Sequence, residues 1–185
     1  MVTRQPLIQI ETGDRQLLSQ IADAMAEAAR RSGEWLVCRP GCAQCCLGPF
    51  EITRLDARRL RAGLAALDAA DPTRAEHVRS RAAAYIESDD APCPVLDPET
   101  GWCDLYESRP ITCRVFGPVT RTEDDTLAAC ELCYTGATDE QMAACEVEID
   151  PQGIESELLA ALGAAGETGV TIVAHALQSS PTKAI

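Results

Sequence analysis

The sequence predicts a mainly α protein: a small helical domain interrupted by long, irregular, cysteine-rich loops. Three observations lead there. Apolar residues recur at helical spacing behind good capping residues in four places. The stretch from Asp89 to Asp150 has no strong period and is broken by Pro92, Pro94, Pro98, Pro110 and Pro118. All ten cysteines fall in that stretch or in the loop between the first two helices, outside every helix the periodicity marks. A length of 185 residues suits one domain with a real core.

The first helix is read as capped by Asp14, with Leu17, Leu18, Ile21, Met25, Ala28 and Ala29 on one apolar stripe. Arg30 and Arg31 stand in its last turn, where the dipole favours cations, and Gly33 ends it. Residues 1–34 are thus an N-terminal helix packed on the core. A second helix, near 53–69, starts from Thr53 as N-cap with Asp56 at the third helical position, and Leu60, Leu64 and Leu67 line one face. Asp71-Pro72, cap then first-turn proline, opens a third helix near 72–88, with Ala75, Val78, Ala82 and Ile86 as its buried stripe. These two helices belong to a cysteine-rich region, 35–145. Residues 146–185 form a C-terminal helical extension. Its first helix follows Asp150-Pro151 and runs to Leu162, with Gly163 as the stop, and Val170–Leu177 is read as helical.

Composition narrows the function. Lys plus Arg is 16 and Asp plus Glu is 29, a formal charge of −13. Such a surface repels phosphate backbones and anionic lipid, so neither nucleic acid nor membrane is an expected partner. No apolar run approaches the roughly 18 residues of a membrane-spanning helix. The opening residues, MVTRQPLIQIETGDRQ, have no apolar signal core. A cytoplasmic location is the expectation. Seven arginines lie in helices 53–81 (Arg54, Arg58, Arg59, Arg61, Arg74, Arg79 and Arg81). They read as a solvated face, with docking of a protein partner as the alternative.

Ten cysteines would suggest a disulfide scaffold in a secreted chain. In a reducing cytosol such density points to metal. Four of them, Cys38, Cys42, Cys45 and Cys46, fill the loop between the first two helices; Cys93, Cys103, Cys113, Cys130, Cys133 and Cys145 lie in the proline-broken stretch. A structureless segment of that length is unusual in a compact domain. Bound metal is expected to tie the two segments together and to replace the missing ladder of backbone hydrogen bonds. Six of the seven aromatics lie within four residues of a cysteine: Trp35, Phe50, Trp102, Tyr106, Phe116 and Tyr134. They are expected to exclude water from the sulfurs, making the site and part of the core one region.

The motifs are Cys38-x3-Cys42-x2-Cys45-Cys46, then Cys93-Pro94-Val95-Leu96, then Cys103-Asp104-Leu105-Tyr106-Glu107-Ser108-Arg109-Pro110 leading to Cys113-Arg114-Val115-Phe116, and last Cys130-x2-Cys133. A Cys-x2-Cys step lets two thiolates turn onto one metal. Together these elements resemble the YkgJ-type cysteine-cluster family, whose domains are described as zinc- or iron-chelating. The likeness covers Cys38 to Phe116 and extends to Cys130 or Cys133. Val95 stands where the family commonly has Phe, a departure that touches no ligand. The resemblance implies Cys38, Cys42, Cys45, Cys46, Cys93, Cys103, Cys113 and one of Cys130 and Cys133 as metal ligands, and both late cysteines stay in the candidate set. Some relatives look like flagellin lysine N-methylases. The chain has no glycine-rich loop for S-adenosylmethionine, so that activity is not carried over.

Arg39, Arg109 and Arg114 lie beside cysteines, where guanidinium groups can neutralise thiolates or form surface ion pairs. Glu107 is placed to pair with Arg109 or to cap the turn at Pro110. His77 is expected on the surface and His175 in the core, neither as a ligand. Cys145 has no nearby aromatic and no partner at two-residue spacing, and reads as a bystander. The leading function is therefore a metal-binding module, structural or redox, holding zinc or an iron–sulfur cluster at one or two sites. The alternative is an enzyme on the same cluster, either a metal-dependent transferase or a thiol redox catalyst using Cys42/Cys45 or Cys130/Cys133. A third reading is a metal-responsive interaction protein using the Arg-rich helices.

Overall fold

The structure is a computed structural model and describes residues 4–39, 41–122 and 124–178, with side chains from residue 9 onward. Along the chain run α1 (Arg4–Ser32), β1 (Glu51–Thr53), α2 (Arg54–Ala70), α3 (Pro72–Ala83), α4 (Ile111–Val115), β2 (Thr120–Arg121), β3 (Leu127–Ala128), α5 (Asp139–Cys145), α6 (Ile154–Ala164), β4 (Val170–Ile172) and α7 (Val173–Gln178). The protein is mainly α, as the periodicity predicts.

The described residues divide into two compact units, one within 40–113 and 162–185, the other within 2–39 and 114–161. In the first, β1 and β4 pair antiparallel, Ile52 opposite Thr171. That pairing brings α7 onto the same core as α2 and α3: Ile52, Leu60, Leu64, Ala75, Val78, Ala82, Val95, Leu105, Val173, Ala176 and Leu177. In the second, Val119, Cys130, Cys133, Tyr134 and Cys145 form a buried cluster, with Trp35, Leu36 and Met142 packed against it. A hairpin joins β2 and β3, Thr120 opposite Ala128.

Several element boundaries differ from the sequence reading. The first helix begins at Arg4, so Asp14 lies inside it. Pro6 is no obstacle, because first-turn N–H groups have no intrahelical acceptor. Gly13 stays in mid-helix because α6 comes close: a Cβ there would meet Leu158 Cδ2 at 2.8 Å. Thr53 and Asp56 form the full capping box, and Asp71 caps α3 by accepting from the N–H of Arg74. α3 stops at Ala83, and Ile86, read as buried, is 82 % exposed. Past Ala83 the N–H of Tyr85 turns back to the carbonyl of Ala82, and the helical ladder ends there.

α6 starts at Ile154, where Asp150 accepts from the N–H groups of Ile154 (3.0 Å) and Glu155 (2.8 Å). Gly163 lies within it; the stop is Gly166, at φ +90°. The N–H of Gly166 reaches the carbonyl of Gly163, and that of Glu167 reaches Leu162, both at 3.0 Å, the paired bonds of a Schellman end. Val170–Leu177, read as helical, is strand up to Ile172 and helix from Val173, because its β-branched start pairs with Glu51–Thr53. Helices do carry thiols: Cys113 sits in α4 and Cys145 ends α5.

Candidate metal centre

In the first unit the two cysteine-rich segments are joined by their own backbone. The N–H of Cys93 donates to the carbonyl of Cys46 at 2.7 Å, and that of Gly48 to Ala91 at 2.9 Å, around an antiparallel bridge of Leu47 with Pro92. A second bridge pairs Leu96 with Cys103, flanked by Asp104 N–H to Val95 (2.7 Å) and Asp97 N–H to Trp102 (2.8 Å). This corrects the expectation that metal replaces backbone pairing here. The prolines that hide the pairing from periodicity, Pro92 and Pro94, flank Cys93; Pro92 sits opposite Leu47 at the position of the bridge that carries no hydrogen bond, so its missing donor costs the pairing nothing.

Helices without cysteines hold these loops in place. Arg81, on α3, donates to the carbonyl of Pro94 at 2.8 Å and to Asp104. Arg74 meets the same carboxylate at 2.5 Å, and the Asp104 side chain is only 1 % exposed. Two arginines thus pin the buried Asp104, the residue after Cys103, and one of them, Arg81, also pins Pro94, the residue after Cys93. The Arg-rich stretch is therefore not simply a solvated face. Arg54 donates to the carbonyl of Thr168, Arg58 pairs with Glu167, Arg59 with Asp56 and Arg79 with Asp68.

Cys45, Cys46, Cys93, Cys103 and Cys113 are half-buried and within electrostatic reach of one another. Cys45 and Cys46 share a hydrogen bond, which lowers the Cys45 thiol to about 6, with help from Arg109, and pushes Cys46 up. Burial pushes Cys93 and Cys113 up to about 12 and raises Cys103 as well. The charges of neighbouring thiols, and of Asp56, add to the effect at Cys113. Crowded thiols thus resist becoming anions together. A metal cation removes that resistance, and metal binding then releases their protons.

Arg109 is a cation acting on this group, as is Arg81, which acts on Cys93. The Arg109 guanidinium lies 3.7 Å from the centre of the Tyr106 ring and donates to the Tyr106 carbonyl at 3.2 Å. Its charge acts on Cys45 and Cys103. Cys42 is exposed and belongs to the same unit. The aromatics do not all shield sulfur: Trp102 and Tyr106 are each 51 % exposed and Phe116 is exposed too. Nearness in sequence placed them beside the thiols, while the half-buried loops left their rings at the surface. No group of three or more His, Cys, Asp or Glu side chains among the described residues is already drawn together as a metal would hold it. The donor set nonetheless has the right chemistry: none of the ten cysteines is in a disulfide, and five of them are neighbours.

The second unit holds Cys38, Cys130, Cys133 and Cys145. Cys130 and Cys133 are buried and hydrogen-bonded to each other, and burial raises the Cys130 thiol. Cys38 is exposed, and a Cβ on Gly117 would meet its sulfur at 2.9 Å. The Gly117 carbonyl accepts from the N–H of Cys130 at 3.2 Å, so one glycine backbone lies between Cys38 and the late pair. Tyr134, at φ +57°, is buried, and its hydroxyl bonds Ser32 Oγ (2.5 Å) and the N–H of Val119 (3.3 Å). Cys145 is buried and donates to the carbonyl of Arg31 at 3.5 Å. Of the two histidines, His77 is exposed as expected, and His175, read as a core residue, is exposed as well.

No curated protein and no solved structure matches the chain significantly. A family model, CxxCxxCC, described as "Putative zinc- or iron-chelating domain", matches residues 37–134. That span runs from the residue before Cys38 to the residue after Cys133 and takes in nine of the ten cysteines. It covers more than half of the chain, and the protein belongs to the CxxCxxCC family.

Proposed function

We propose that the protein binds zinc or an iron–sulfur cluster through cysteine thiolates, in a structural or redox role, with the main centre in the first unit. The observation that carries this is the gathering of Cys45, Cys46, Cys93, Cys103 and Cys113, from three separate stretches of chain, beside the Arg109 guanidinium. Four thiolates complete a tetrahedral zinc site or hold a cluster. Five neighbours, with Cys42 nearby in sequence, supply that number. Closing on the metal requires the Cys45–Cys46 hydrogen bond to open and the thiols to turn inward. Cys38, Cys130 and Cys133 are proposed as further ligands, in one or two sites overall. A cytoplasmic setting fits a chain whose ten cysteines form no disulfide.

Elemental analysis and the absorption spectrum of protein purified without oxygen or chelators test this. At least one zinc or iron per chain is expected. Sulfur-to-iron charge-transfer absorption identifies a cluster; colourless protein with zinc identifies zinc. Metal-free protein with a normal fold and all ten thiols reactive would sink the proposal. One observation favours the enzyme reading: the Cys45 thiol, at about 6 and half-buried, has the character of a reactive cysteine. Alkylation of Cys45 separates the two. Protection that disappears on metal removal supports a ligand, and equal reactivity with and without metal supports a thiol catalyst.

A further inference from the structure

We infer that Asp56 is a positioning residue for the thiol centre: its buried carboxylate holds the first N–H of the short helix carrying Cys113 and so sets where that sulfur stands. The inference rests on the metal-binding reading above. α4 spans only Ile111–Val115, and an isolated helix of that length does not persist in water. Its first N–H has no acceptor within the helix. Asp56 Oδ1, 55 residues upstream, accepts it at 2.9 Å. Cys113 follows two residues later, behind the fully buried Pro110 and the buried Ile111.

Asp56 does more than capping requires. Its Oδ2 alone completes the box, accepting from the N–H of Thr53 (3.3 Å) and its hydroxyl (3.1 Å). A capping box works at an exposed helix end as well. Here the side chain is 3 % exposed, and Oδ1 is shared between Ile111 and Arg59, whose side chain is also buried. Burying an ion pair is generally no gain in stability over apolar packing. The arrangement therefore points to placement rather than strength. A second point of α2 supports the same segment: a Cβ on Gly63 would overlap the Ser108 side chain, so the glycine lets the turn at Tyr106–Ser108 rest against the helix. Positions 56 and 63 lie two helical turns apart on one face, and together they seat the stretch that carries Arg109 and Cys113.

The test uses cobalt(II), whose sulfur-to-metal absorption grows with the number of thiolates bound. Two double variants remove the ion pair but differ in the acceptor: Asp56→Asn/Arg59→Met keeps one, and Asp56→Leu/Arg59→Met does not. The first is expected to retain the full wild-type band. The second is expected to lose one thiolate's share, matching Cys113→Ser, and adding Cys113→Ser to it should cause no further loss. Thermal stability alone would fall with any core defect, whereas thiolates per cobalt would not. If the leucine variant does not fold, Ile111→Pro asks the same question. It deletes the donor, leaves the Asp56–Arg59 pair in place, and puts proline where a first helical position accepts it. An unchanged band in the leucine variant, or in Ile111→Pro, overturns the inference and leaves the metal reading standing. Unfolding of both beside a folded, loaded asparagine variant also overturns it, since Asp56 would then serve the core alone. A wild type with no sulfur-to-cobalt band overturns the inference, and if it also holds neither zinc nor iron when purified without oxygen or chelators, the metal reading goes with it.

Discussion

The two units treat their cysteines in opposite ways. In the first, five thiols are half-buried, lie within reach of one another, and are surrounded by charge: Arg109 beside them, with the Asp56–Arg59 and Asp104–Arg81 pairs fixing the backbone on which they stand. In the second, Cys130, Cys133 and Cys145 are buried among apolar side chains, and the hydroxyl of Tyr134 does the fixing through neutral hydrogen bonds. The more exposed group has a cation and an ion-paired scaffold beside it, while Cys130, Cys133 and Cys145 pack as part of a small apolar core.

Substitutions should separate the two groups. The largest effect is expected for Cys113→Ser, which should lower metal affinity by about 100-fold or more, beyond the upper range of changes made outside the ligand shell. Elemental analysis after dialysis measures it. Cys133→Ser should leave the first unit's metal signal intact; loss of that signal in both variants would mean a single shared centre and would break the comparison.

The pH response should follow the same division. The Cys93 and Cys113 thiols are raised to about 12 in the folded chain, above the unfolded value near 9. Their contribution to the metal-free protein is fully present below the unfolded value and is lost as pH climbs toward 12. Metal-free protein should thus become less stable from about pH 9 upward. Metal binding releases protons, so loaded protein should instead gain stability as pH rises from 6 to 8. Denaturant titrations of both forms across pH would show whether the slopes have opposite sign.

Tyr134→Phe should reduce stability by about 1–3 kcal/mol, because it strands the buried N–H of Val119, and should leave metal content unchanged. The smallest change is expected for Cys145→Ser, about 1 kcal/mol with no loss of metal. Thermal melts and metal analysis of both variants check this pair; metal loss from Cys145→Ser would move that residue among the ligands.

Local signals were the legible ones. Thr53-x-x-Asp56 and Asp71-Pro72 set their helices because capping depends on neighbours along the chain. Thr138-x-x-Gln141 is equally local and caps α5 with a complete box, but a seven-residue helix in the cysteine-rich stretch is too short to show a period that would direct attention to it. The cysteine spacings marked the candidate ligands, and the chain alone could not divide them between two units. Nor could it disclose what holds them. The acceptor for Ile111 lies 55 residues away, and Arg81 reaches Pro94 across 13. Such partners are chosen by packing, which no short window of sequence contains. The hairpin at Thr120–Ala128 was missed for a simpler reason: two residues per strand leave no alternation to read.

The hydrogen bond from Cys93 to Cys46 bears on how metal would be gained and lost. Peptide, not metal, closes the long loop between these two thiols, so the entropy of that closure is already met in the folded chain. An ion that departs leaves Cys46 and Cys93 side by side, ready for the next one. A metal site built there would exchange its ion without unfolding, and would discriminate among ions by bond length and angle rather than by which of them can drive the chain to fold.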